Sequence, residues 1–246
     1  MNKKGQITLF IVLGIVILLV FLFVYFLESG YISKTKNFAK SFGLISDKDA
    51  VKNFVDSCME ETGKNALTLV GLQGGYVLPK NYAEIENIRV NYGYYEKKNV
   101  LVTKEALEEE IKKYFELFMP ACVDDLKNYN LVKENMTVNA SVSEMLVSMN
   151  ARYPISIVKG DSKIVVDPKY AVRYRIRLGK MIDIADDIVR KTFGREDIID
   201  MAYLYSIGNE FNVQISDEAG IRIYMITDKS YKLDMINYTF MFAEKF

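Results

Sequence analysis

Histidine is absent from the 246 residues, and so is tryptophan. The first absence removes Ser-His-Asp and Cys-His nucleophilic mechanisms, His-ligated zinc and the commonest general base at neutral pH. The second removes the best stacking platform for sugars and bases, leaving 17 tyrosines and 14 phenylalanines. Cysteine occurs only at Cys58 and Cys122. Without histidine, two thiols at most supplement carboxylates at a metal, so neither a metal nor a cofactor is expected. An excess of either charge is also missing: 32 basic residues balance 32 acidic ones. No global field draws this chain to nucleic acid, which is not expected as a partner.

What is present begins with a long apolar run. Residues 7–27 carry no charge, and only Thr8, Gly14 and Tyr25 interrupt a string of Ile, Val, Leu and Phe. A helix rises 1.5 Å per residue, so about 20 such residues cross the ~30 Å hydrocarbon core of a bilayer. A cleaved secretory signal has a shorter apolar region, ~7–15 residues, ending in small residues. Here the run ends in Tyr25-Phe26-Leu27-Glu28. The reading is a retained span through which the chain contacts the lipid bilayer. Lys3 and Lys4 before the run and Glu28 after it place residues 1–6 in the cytoplasm and the C-terminal part outside, although Lys34, Lys36 and Lys40 pull the other way. Three glycosylation triplets, starting at Asn135, Asn139 and Asn237, agree with an outside location.

Lys3-Lys4-Gly5-Gln6 followed directly by the apolar run resembles the class III signal of archaeal type IV pilins and related membrane-anchored surface proteins. The resemblance covers about the first 30 residues. It implies a processing site between Gly5 and Gln6, and a mature apolar helix that anchors the subunit and packs in a filament core. Phe10 stands at the fifth mature position, where many pilins carry a glutamate. That departure weighs against the filament more than against the processing.

Beyond a juxtamembrane tether at 28–49, a capping box at Ser46 to Asp49 opens a helix. Its Val51, Phe54, Val55 and Cys58 fall at i, i+3, i+4, i+7, and Gly74-Gly75 stops it. Short strands are predicted at 88–90 and 100–102. Thr103 then caps a second helix with Leu107, Ile111, Phe115, Phe118 and Cys122 on one face, kinked or restarted at Pro120. Residues 50–130 thus read as a helical subdomain with short strands. Residues 131–246 read as an antiparallel-sheet subdomain, with strands at 136–142, 153–158, 163–166 and 170–178. Helices follow at 180–193 and 196–207, then strands at 211–216, 221–227 and 231–242. Strand runs around a helical insert indicate an α+β fold.

Four patterns bear on chemistry. Cys58 and Cys122, each on the apolar side of its helix, are a candidate disulfide, with two buried thiols as the alternative. Arg173, Arg175 and Arg177 alternate with apolar residues, as a solvated sheet face or as a stripe for an anionic glycan or lipid headgroup. Asp183, Asp186 and Asp187 have cation-binding spacing, but Lys180, Arg190 and Lys191 neutralise them, and Gly71 to Gly75 lacks the Lys-Ser/Thr of a phosphate loop. Glu60, Glu61, Asp124, Asp125 and Glu134 offer carboxylates for glycoside hydrolysis, with no spacing that singles out a pair.

The chain therefore reads as a single-pass, membrane-anchored extracytoplasmic protein that is not an enzyme. It binds a protein or envelope-glycan partner, or builds the envelope, with self-association open to it. A pilin-like filament subunit and a membrane-tethered hydrolase are the alternatives.

Overall fold

The helix carrying Cys58 is longer than its capping box implies. It runs unbroken as α1 from Tyr31 to Leu72. The computed structural model describes the backbone of residues 31–246 and the side chains of 47–246, apart from Asp161, Asp167, Pro168, Gly194, Glu196, Asp197, Ala219 and the Lys169 side chain. The apolar run at 7–27 and the Gly5–Gln6 processing site lie outside the described residues. Among those that are described, no helix is long and apolar enough to cross a membrane.

Residues Val51–Phe246 form one compact unit. It begins where the apolar face of α1 begins: Val51, Val55, Cys58, Met59, Ala66, Leu67 and Val70 are all buried. After Leu72 the chain turns through Gly74 and Gly75 at φ of 69° and 94°. Those values favour glycine, and a Cβ at Gly75 would also stand 2.3 Å from Val102 Cγ1.

A six-stranded mixed sheet follows the order β1-β2-β12-β11-β10, with β3 also paired to β2. Its strands are β1 Tyr82–Ile85, β2 Ile88–Tyr95, β3 Lys98–Asn99, β10 Phe211–Glu218, β11 Ile221–Leu233 and β12 Ile236–Lys245. All pairs are antiparallel except β12 with β2. That parallel pair ties residues near 92 to residues near 244, so the two segments read as subdomains share one compact unit, and each of its two core clusters draws residues from both. The expected strand at 100–102 does not form; the tyrosine-rich stretch before it is itself the strand.

Two three-stranded antiparallel sheets complete the β structure. One orders β4 Leu131–Lys133, β7 Ile155–Lys159 and β8 Ser162–Val166; the other orders β5 Thr137–Val142, β6 Val147–Arg152 and β9 Lys169–Tyr174. Between β3 and β4 lies α2, Lys104–Asp124, which passes through Pro120 without ending. Its N-cap Thr103 accepts a hydrogen bond from Ala106 N at 3.2 Å. Thr103→Ala is expected to cost ~1 kcal/mol in chemical denaturation. Two further helices, α3 Leu178–Thr192 and α4 Met201–Ile207, separate β9 from β10.

The α+β class with antiparallel and mixed sheets and four described helices is thus what the chain adopts. The core joins α1, α2, α3 and the sheets through Leu67, Phe115, Ile155, Met181, Phe240 and their neighbours. Gly63 of α1 is a close-approach point. A Cβ there would lie 2.4 Å from the Tyr174 hydroxyl, which donates to Glu60 O.

Candidate functional site

The two cysteines are joined. Cys58 of α1 and Cys122 of α2 form a disulfide with Cα atoms 5.8 Å apart, and no described cysteine is free. Cys58 is buried against the core, as the helical spacing implied.

The arginines do not form one stripe. Strand β9 ends at Tyr174, so alternation stops before Arg177, the N-cap position of α3. Arg177 is buried and occupied. Its Nε and Nη2 donate to Asp228 Oδ2 and Oδ1, each at 2.7 Å, and its Nη1 donates to Glu210 Oε2. The guanidinium lies 4.2 Å from the Phe211 ring centroid and 5.2 Å from that of Tyr231. Lys180 Nζ reaches Glu210 Oε2 at 3.1 Å. Fully buried Asp228 also accepts from Ser230 N and Tyr231 N. Burial alone would raise its pKa, but Arg177 and the two backbone donors outweigh burial and hold it below the usual carboxylate range. This cluster is satisfied internally and presents no anion site.

Arg173 and Arg175 do remain exposed, and the structure gives them a different companion. Strands β5, β6 and β9 point their outward residues in three rows: Thr137 and Arg152; Asn139, Asn150 and Ala171; Ser141, Ser148 and Arg173. The residues between them, such as Val138, Met149 and Tyr174, are buried or half-buried on the opposite face. Arg152 carries little signal in the sequence, because Val147–Arg152 has few of the β-branched and aromatic residues that mark a strand.

The acidic candidates are dispersed or paired. Asp183 accepts from Lys104 at 2.7 Å, Asp186 from Asn99 at 2.8 Å and Arg190 at 2.5 Å, and Asp187 from the Tyr203 hydroxyl at 2.9 Å. Among the described residues no group of three acidic or cysteine side chains can hold a metal ion. Of the hydrolase candidates, Glu60 pairs with Lys64 at 2.9 Å, and Asp124 with Lys133. All five acids are exposed, and none lines the clefts described below.

One carboxyl outside the expected candidates has unusual chemistry. Glu244 of β12 is fully buried, 3.5 Å by Oε2 from Thr192 Oγ1, while its Oε1 has no hydrogen-bond partner. Burial pushes its pKa up to about 7, against the lowering effect of Thr192, Arg222 and Tyr224. A cavity of about 10 Å3 is lined by Thr192, the residue that donates to Glu244, together with Tyr203, Leu204 and Tyr224. That volume has room for about one water. Glu244 is thus a fully buried carboxyl that holds a proton near neutral pH. The signal for it was in the sequence: Phe240, Phe242 and Glu244 share the buried face of β12 at alternate positions.

A folded carboxyl raised from 4.5 to about 7 favours the folded state fully below pH 4.5. That contribution is lost as pH rises to about 7, because the unfolded chain ionises first. At ~1.4 kcal/mol per pH unit, the stability of Glu244→Gln relative to wild type should rise by ~3 kcal/mol between pH 4.5 and pH 8. Paired urea denaturation curves at the two pH values check this; a pH-independent difference contradicts it.

Larger depressions are surface grooves. One of about 520 Å3 is lined by Asn99, Lys104, Asp183 and Asp186, and one of about 340 Å3 by Thr68, Leu72, Ile236 and Tyr238. A third, of about 620 Å3, is bordered by Arg190, Phe193, Arg195 and Met201. No protein-family profile, curated protein or solved structure matches the chain.

Proposed function

We propose that the chain is a single-pass membrane-anchored protein whose folded domain lies outside the cytoplasm and serves as a binding or structural component of the cell envelope. The disulfide between the chain's only two cysteines carries this reading. Such bonds persist in oxidising compartments and are rare in reducing ones. Thiol trapping on intact cells tests it. Maleimide mass-tagging after acid quench should label neither cysteine without prior reduction and both after it; two tags without reduction overturn the location.

The uncharged run at 7–27 supplies the anchor. Replacing Ile15 and Leu18 by arginine should cost ~2.5–3.5 kcal/mol each for insertion and shift the protein out of the carbonate-washed membrane fraction. A double variant that still pellets rules out the anchor.

A pilin-like filament subunit is the second reading. It is favoured by a 42-residue helix, Tyr31–Leu72, that follows the apolar run and packs its second half against antiparallel sheets. Mass spectrometry of the native protein separates the two. A chain beginning at Gln6 supports processing, and an intact N-terminus removes the filament reading.

A further inference from the structure

We infer that the outward face of the β5-β6-β9 sheet binds an anionic, uronate-type polysaccharide. The inference names a partner for the envelope reading and rests on it.

Exposed Arg152, Arg173 and Arg175 ion-pair with no described residue, whereas Arg177, Arg190 and Arg222 are each held by a carboxylate and Arg89 stacks on Tyr82. In a chain of zero net charge, Arg152 and Arg173 on one small face, with Arg175 just beyond the end of β9, form a local excess of positive charge among the described residues. No carboxylate stands among the described outward residues of these strands. With strands ~4.8 Å apart and ~3.4 Å per residue, the face measures about 10 Å by 17 Å, and Arg152 and Arg173 lie at opposite ends.

Between the rows of Arg152 and Arg173 the outward residues have short side chains, Asn139, Asn150 and Ala171, with Ser141 and Ser148 beside Arg173. Amides and hydroxyls both donate and accept, matching sugar hydroxyls, while the guanidinium fork matches a carboxylate through two parallel hydrogen bonds. A lipid surface fits less well. Interfacial binding needs apolar side chains to insert, and none of the large exposed apolar residues occupies an outward position of these strands. Single-stranded nucleic acid fits less well too, since the face has no aromatic ring on which bases stack.

The test uses the full chain purified in a neutral detergent and applied to immobilised polygalacturonate. Uncharged dextran is the control, and phosphatidylglycerol vesicles and single-stranded DNA are the competing polyanions. Wild type should be retained on polygalacturonate, released by salt, and not retained on dextran. The Arg152→Gln/Arg173→Gln/Arg175→Gln chain should bind at least about tenfold more weakly, because each change removes a charge and a fork without disturbing buried contacts. Asn150→Glu, which places a negative charge at the centre of the face, should weaken binding as well and gives an answer even if the triple variant misfolds. Retention unchanged in both variants overturns the proposal. So does absence of wild-type retention, or arginine-dependent binding that is tighter to the vesicles or DNA. These outcomes concern the purified chain and leave the cellular location to thiol trapping, so failure of one reading is distinguishable from failure of the other.

Discussion

Replacing both cysteines by serine is expected to lower the stability of the folded domain by about 4 kcal/mol. The bridge closes a loop of 64 residues' separation. Loop-closure entropy for a loop of that length gives roughly 4.3 kcal/mol at 25 °C, within the usual range of about 2–5 kcal/mol for native disulfides. The helices it joins are the two that carry much of the core, with Val51, Val55 and Leu67 on one and Leu107, Ile111 and Phe115 on the other. Most of their apolar contacts survive reduction, so the double variant should still fold, with an earlier denaturation midpoint. Urea denaturation of wild type with and without reductant, beside Cys58→Ser/Cys122→Ser, measures the effect. Reduced wild type and the double variant should coincide. A difference under about 1 kcal/mol between oxidised and reduced protein would show that the bridge constrains nothing the core does not already hold.

Removing the Arg177 side chain should destabilise by a comparable amount for an electrostatic reason. Asp228 has no exposure, and Arg177 makes two of its hydrogen bonds. Breaking one partner of a buried pair leaves an uncompensated charge and typically costs about 3–5 kcal/mol. Arg177→Met should fall in that range, while Arg177→Met/Asp228→Leu should recover a large part, since no charge is then stranded. Two single losses that simply add in the double variant would contradict the coupling. Acid should mimic the lesion. The folded Asp228 pKa is depressed, so its contribution is present above the unfolded value of 3.8 and is lost as pH falls below it through the folded value.

These two sites differ in how far the sequence announced them. The disulfide was open to inspection because both cysteines follow helical spacing on apolar faces; the distance between them is tertiary and was not. The Arg177 cluster was hidden, since its partners lie 51 and 33 residues away. Alternation through Arg173 and Arg175 also suggested a strand that continued, where β9 ends at Tyr174. Asp228 and Glu244 carried a local hint, each standing in line with buried aromatic or aliphatic residues of its strand, but an acid on an apolar face reads as an irregularity until its neighbours are known.

Hairpins were missed for a related reason. Glu86-Asn87, Glu96-Lys97 and Asp234-Met235 all adopt left-handed φ between 47° and 70° without a glycine. The usual turn signal is therefore absent, and β1, β3 and the β11–β12 register went unread. Strand β6 escaped because Val-Ser-Met-Asn-Ala-Arg alternates cleanly yet has little β-branched or aromatic content. Where glycine or a capping hydroxyl is required, as at Gly74-Gly75 and Thr103, sequence and structure coincide.

The central claim is that the domain from Val51 to Phe246 faces the outside of the cell, tethered by residues 7–27. Trypsin added to intact cells tests it most directly, since Lys and Arg side chains are exposed across the domain, at Arg173 and Arg175 among others. The account predicts loss of the full-length band without lysis, while a cytoplasmic marker protein stays intact. Digestion only after the membrane is broken would contradict it, and with it the basis for an oxidised Cys58–Cys122 bridge in the cell.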